Sequence, residues 1–221
     1  MSCEHVKCDV VSNIEAKRIL FKENIEGIDE WPHSWKKGEI TYRLNNHTKD
    51  ISKASLQDRA VTVALRVWQL RISDLKFRRE RNPDVSVDFD VSFQPLEKFS
   101  GKGVLAHAWF PGQGKISGDC EINDEWNWTT HSALQRLSTP PLVPILIHEF
   151  GHSLGLRHDT TTRESIMYPS FDLGQKKNRL GPNDISRIQG KEGFVGYGAR
   201  KISQRMLDYF QNRRDKGFDF D

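Results

Sequence analysis

Residues 39–44 alternate apolar and polar, with Ile40, Tyr42 and Leu44 on one side, the period of a half-buried strand. The spacing then changes. Leu56, Ala60, Val63, Ala64, Val67 and Trp68 fall three or four apart, which predicts an amphipathic helix over residues 53–72 with a wide buried stripe. Residues 84–93 return to period two through Val85, Val87, Phe89, Val91 and Phe93. A short apolar run over 103–110 reads as another strand, turned by Pro111-Gly112-Gln113-Gly114, with a further strand expected within 115–122. Residues 142–154 are apolar and helical, with Pro141 and Pro144 near the first turn, where a missing N–H costs least, and Gly155 as the stop. A short helix over 183–189 is entered through Gly181-Pro182. Strands first and helices late predict an α+β domain with a mixed, twisted sheet.

The ends read differently. Residues 1–30 are polar and charged without a period, a leader outside the core, and Trp31-Pro32-His33-Ser34-Trp35 marks the boundary. Residues 200–214 are basic, with Ile202, Met206, Leu207 and Phe210 on one face, either a solvated terminal helix or one that meets an anionic surface. The expected organisation is a leader over 1–30, a core domain over 31–196 and a basic tail over 197–221.

Charge changes this picture little. Lys+Arg 33 against Asp+Glu 30 leaves +3, too balanced for a protein dominated by nucleic-acid binding. No run is long and apolar enough to span a membrane, and the first residues show no apolar signal-peptide stretch. Three cysteines cannot all pair, which excludes a disulfide scaffold. Arg78, Arg79 and Arg81 read as a solvated cluster after the long helix, and His5, His33, His47 and His131 as surface or turn residues.

The chemistry concentrates in His148-Glu149-Phe150-Gly151-His152-Ser153-Leu154-Gly155-Leu156-Arg157-His158. Residues four apart share a helix face, so His148 and His152 can present two nitrogens to one metal ion. Gly155 lacks a Cβ and allows the sharp exit that would return His158 as a third ligand. Three imidazoles with an open fourth position describe a catalytic zinc site. Glu149, beside the first ligand, is placed to act as general base on a zinc-bound water. The reaction class is peptide-bond hydrolysis without a covalent intermediate. The competing reading, a non-catalytic or latent zinc-binding interaction module, lacks a use for Glu149.

These residues resemble the metzincin zinc peptidases. Ser165-Ile166-Met167-Tyr168-Pro169 is similar to their Met-turn, with Met167 under the imidazoles. Gly103-Val104-Leu105-Ala106-His107-Ala108-Trp109 is similar to the substrate-side edge strand of the matrixins, the matrix metalloproteinase catalytic domains. The resemblance runs over about residues 31–196. It implies a twisted, mixed, mostly parallel five-stranded sheet with three helices. It implies zinc on His148, His152 and His158, Glu149 as base, and Leu105 and Ala106 pairing with substrate backbone. It also implies Pro169 and Phe171 walling the pocket just after the cleaved bond, with Phe171 where the family usually shows Tyr. A secreted monomer acting on protein substrates, extracellular matrix among them, is part of the same implication.

Departures from the pattern carry expectations too. Matrixins typically hold a second, structural zinc; here only His107 matches, the His-Gly-Asp loop has no counterpart between Phe93 and Gly101, and Glu121 replaces a further His. That site is therefore expected to be absent. The calcium loop is eroded to Asp119, with Asp124 or Glu125 as the other candidate ligands, and an acidic solvated loop is the alternative. Asp159 after the third His is closer to the adamalysin branch. Lys7-Cys8-Asp9-Val10 keeps the cysteine of a matrixin pro-segment without its Gly and Pro, so Cys8 is either an inhibitory zinc ligand or a free surface thiol.

Overall fold

The computed structural model describes the backbone of residues 6–7, residue 35, and residues 38–72, 75–101, 103–112, 115–130, 139–171 and 177–189. Strand β1 is Val6–Lys7, β2 Glu39–Leu44, β3 Lys76–Arg79, β4 Phe89–Gln94, β5 Ala106–Ala108, β6 Cys120–Asn123 and β7 Ser170–Phe171. The α-helices are α1 Ala54–Gln69, α2 Leu142–Ser153 and α3 Pro182–Gln189. Five strands form one sheet in the order β3-β2-β4-β6-β5. All its pairings are parallel except β5 with β6, so the antiparallel strand is an edge. The α+β class and mixed sheet are those expected from the pattern, and the mostly parallel five-stranded order is the one the resemblance implies.

The sheet and helices share one core because each presents an apolar face. Strand β2 buries Ile40, Tyr42 and Leu44, and α1 buries Ala60, Val61, Ala64, Leu65 and Trp68. Helix α2 is buried along its whole length, as an apolar-all-round helix must be. It packs on α1, where Trp68 Nε1–H donates to the Ile147 carbonyl at 2.8 Å, and on the sheet, where the Phe150 and Phe89 rings lie 5.8 Å apart. Burying a side chain of this kind contributes about 1.5–3 kcal/mol, so α2 is fixed by packing.

Boundaries shift where tertiary pairing decides. The strand expected over 84–93 is regular only at Phe89–Gln94, and the one expected over 115–122 only at Cys120–Asn123. The arginines after the long helix are exposed at Arg78 and Arg81, and Arg78 and Arg79 also belong to edge strand β3, in register with Thr41 and Tyr42. Arg78 pairs with Glu39 at 2.9 Å and Arg79 with Asp58 at 2.7 Å. Among the described residues no helix is long and apolar enough to cross a membrane. His5, His33, His131 and the expected C-terminal helix lie outside the described residues.

Candidate metal centre

Helix α2 places His148 and His152 one turn apart, both within 6% exposure. Its end has a specific geometry. Gly155 takes φ +104°, and its N–H donates to the His152 carbonyl at 2.8 Å while Leu156 N–H reaches the Gly151 carbonyl at 2.9 Å. These paired bonds close the helix around a left-handed residue that glycine alone adopts without strain. The chain then doubles back, and His158 arrives with its ring 5.3 Å from His148 and 4.8 Å from His152. The three side chains each offer a ligand atom within 4.8 Å of the others, and among the described residues this is the one such group.

The hydrogen bonds fix which nitrogen faces inward. His148 Nδ1 lies 2.6 Å from the Ile166 carbonyl, and His152 Nδ1 lies 2.6 Å from the Leu156 carbonyl. A carbonyl oxygen only accepts, so both Nδ1 atoms carry the proton and both Nε2 atoms expose a lone pair. Those Nε2 atoms are 3.1 Å apart. A tetrahedral zinc with bonds of about 2.0–2.1 Å separates its ligand nitrogens by about 3.3 Å. The residues present therefore fit the ion. Burial, and then the charge of neighbouring His158, lowers the His148 pKa to about 3. Burial, reinforced by His148, holds His152 well below the ordinary range. Both rings stay neutral, as ligands must.

Met167 is fully buried against helix α2, facing Gly151. A Cβ on Gly151 would crowd Met167 Sδ and fall 2.9 Å from Trp68 Cζ2, so any side chain there forces its neighbours to shift. The turn that carries Met167 is anchored by Asp184 of α3, whose buried carboxylate accepts from Ser165 Oγ and from Ile166 N–H at 3.0 Å. Glu149 is fully buried too, and it lines the pocket beside the histidines together with Leu105, Ile145, Tyr168, Pro169, Ser170 and Phe171. Around this pocket come together Glu149, His148, Leu105 just before β5, Pro169 and Phe171. Ala106 begins β5, which stands at one end of the sheet order. The wall segment Ser170–Phe171 pairs antiparallel with Val6–Lys7, a contact that the sequence pattern did not foretell.

These geometric findings agree with comparison to known proteins. A family profile described as Matrixin matches residues 34–191. The chain belongs to the matrixin family. It is 36% identical over 181 residues to stromelysin-1 of Mus musculus, covering 77% of this chain and 35% of that protein. It is 35% identical over 174 residues to neutrophil collagenase of Homo sapiens, covering 76% and 34%, and 35% identical over 164 residues to macrophage metalloelastase of Rattus norvegicus, covering 72% and 33%. The chain spans about a third of the length of the curated relatives it matches.

Away from this centre lies another buried histidine. His107 is buried on β5 and its Nε2 lies 2.9 Å from Glu121 Oε2, its cross-strand partner on β6. The ring is flanked by Phe99 at 4.8 Å and Trp109 at 4.6 Å. Nearby, Asp119 Oδ1 accepts the Asp90 N–H at 2.8 Å. Burial, with repulsion from Asp90 and Glu121, raises the Asp119 pKa to about 6. A larger groove of about 620 Å³ lies near the far edge of the sheet, lined by Arg43, Asp58, Arg79 and Arg81 among others. Arg43 is paired with Asp90 and Arg79 with Asp58, so the groove has little unmatched charge with which to recognise an anion. Cys8 lies outside the described residues.

Proposed function

We propose that this chain is the catalytic unit of a zinc-dependent endopeptidase that hydrolyses peptide bonds in extended protein segments. The observation that carries the reading is the convergence of three imidazoles beside a buried carboxylate. His148, His152 and His158 would hold the ion through ring nitrogens. Bound there, zinc acidifies water and polarises a scissile carbonyl. Glu149 would take a proton on a carboxylate oxygen from the attacking water and return it to the leaving amine. Substrate would add as a strand along the free edge of β5, meeting Leu105 and Ala106. Pro169 and Phe171 would wall the pocket for the residue after the cut.

Finer points belong to the same proposal. One zinc per chain is expected, because the His107 ring nitrogen that could serve a second ion is engaged by Glu121. Calcium at Asp119 stays a candidate, tested by whether added calcium raises the melting temperature. Matrix proteins are the proposed substrates, in keeping with relatives named as a collagenase and a metalloelastase, and an extracellular location goes with them. Cys8 follows directly on Lys7, whose backbone pairs with Ser170 at the pocket wall. On the zinc, the Cys8 thiolate would be a strong inhibitory ligand. Alkylating Cys8 should raise activity; unchanged activity leaves it a surface thiol.

The test is metal analysis together with a peptide-library digest. Wild type should carry zinc and cleave, whereas Glu149→Ala should carry zinc and not cleave. A wild-type chain that binds zinc yet cleaves nothing after removal of residues 1–30 would instead be a zinc-binding interaction module.

A further inference from the structure

His148 and His152 are held by a helix, but His158 follows an irregular stretch after Gly155. Its position relative to the other two rings depends on tertiary ties. The residue directly after it, Asp159, is only 5% exposed. Asp159 Oδ1 accepts from Thr161 N–H at 3.0 Å, Thr161 Oγ–H at 2.7 Å and Thr162 N–H at 3.2 Å. Asp159 Oδ2 accepts from Asn183 Nδ2, and its backbone N–H donates to the Met167 carbonyl at 2.9 Å.

Asn183 and Asp184 are neighbours in the first turn of α3. Asp184 grips the Met-turn through Ser165 and Ile166, and the Ile166 carbonyl in turn orients His148. Asn183 reaches the other way, to the residue beside His158. One helix turn therefore holds two arms of the metal centre by two adjacent side chains. We infer that Asp159 and Asn183 form a latch that positions His158, making both of them positioning residues for the metal. The inference rests on the zinc reading above.

A carboxylate buried this deeply is stable only when its oxygens are matched by donors. The Thr161 and Thr162 bonds are local and would suffice to shape a turn. The Asn183 bond is not: it joins segments 24 positions apart, and the same amide donates to Thr162 Oγ1 at 3.4 Å, tying α3 to the whole turn. Its consequence is that movement of α3 and movement of the third ligand are coupled. Ties of this kind set metal affinity through ligand preorganisation, and their removal typically weakens binding about 10–100-fold.

Zinc affinity by chelator competition and the visible spectrum of the cobalt(II)-substituted protein test the latch, and neither readout is activity. Asp159→Ala should weaken zinc binding about 10–100-fold and alter the cobalt spectrum. Asn183→Asp, which sets two carboxylates against each other, should weaken it as well. The exchange Asp159→Asn with Asn183→Asp restores a donor–acceptor pair and should recover most of the lost affinity. If Asp159→Ala does not fold, Asn183→Ala and the exchange carry the same test. Folded variants whose zinc affinity and cobalt spectrum match wild type would overturn the latch and leave Asp159 a turn residue. A wild-type chain that binds no zinc would overturn the function reading instead, so the two failures are distinct.

Discussion

His148 and His152 on α2 and His107 on β5 are all buried, yet their rings have opposite uses. On α2 the Nδ1–H groups are committed to backbone carbonyls, which turns the Nε2 lone pairs toward each other and toward His158. On β5 the Nε2 faces a carboxylate, and among the described residues no second imidazole joins it in a group that could hold an ion. The difference teaches that burial does not make a histidine a ligand. What decides is the partner of each ring nitrogen: a carbonyl behind the ring frees the other nitrogen for metal, whereas a carboxylate in front of it makes a cross-strand staple.

The largest effect should come from the metal side. Glu149→Ala should lower peptide hydrolysis by ~10³-fold while zinc content stays at the wild-type level, read by kinetics beside metal analysis. Zinc lost along with activity would mean that Glu149 holds the site together. Next in size is Gly151→Ala. Its new Cβ would press on Met167 and Trp68, and overpacking of this kind costs about 1–3 kcal/mol. A denaturant midpoint unchanged from wild type would show that Met167 yields freely.

On the staple side, Glu121→Gln should lower stability by about 1–2 kcal/mol, because the charge-assisted bond to His107 is weakened, and leave zinc content unchanged. A fall in zinc content would place this pair in a metal site after all. The smallest effect concerns pH. A folded Asp119 pKa near 6, above the ordinary carboxylate value, means that the native state holds more protons than the unfolded chain between about pH 4 and 6. Stability contributed by this group therefore falls as pH rises through that window and levels off above it. Asp119→Asn keeps an acceptor for the Asp90 N–H and should gain about 1 kcal/mol above pH 6, after allowance for partial exposure, with no gain near pH 4. Melting curves at both values check it; an equal gain at each would assign the effect to something other than ionisation.

Much of the centre was legible because its signals are local. Two histidines four apart, an acid between them and a glycine at the helix exit each state their role within one or two turns. Strand β3 was not legible, since Lys-Phe-Arg-Arg carries a single apolar residue and becomes a strand only by pairing with β2. Glu121 was visible as a departure from the family pattern, but its bond to His107 required the register of β5 on β6. The latch between Asp159 and Asn183, and the pairing of Val6–Lys7 with the pocket wall, join segments distant in the chain and left no periodic trace.

The contrast between the two histidine sites can be measured directly by counting zinc per chain in three proteins: wild type, His158→Ala and His107→Ala. One equivalent in wild type, one in His107→Ala and a large loss in His158→Ala is the expected result. Two equivalents in wild type, or zinc that follows His107 and not His158, would contradict it.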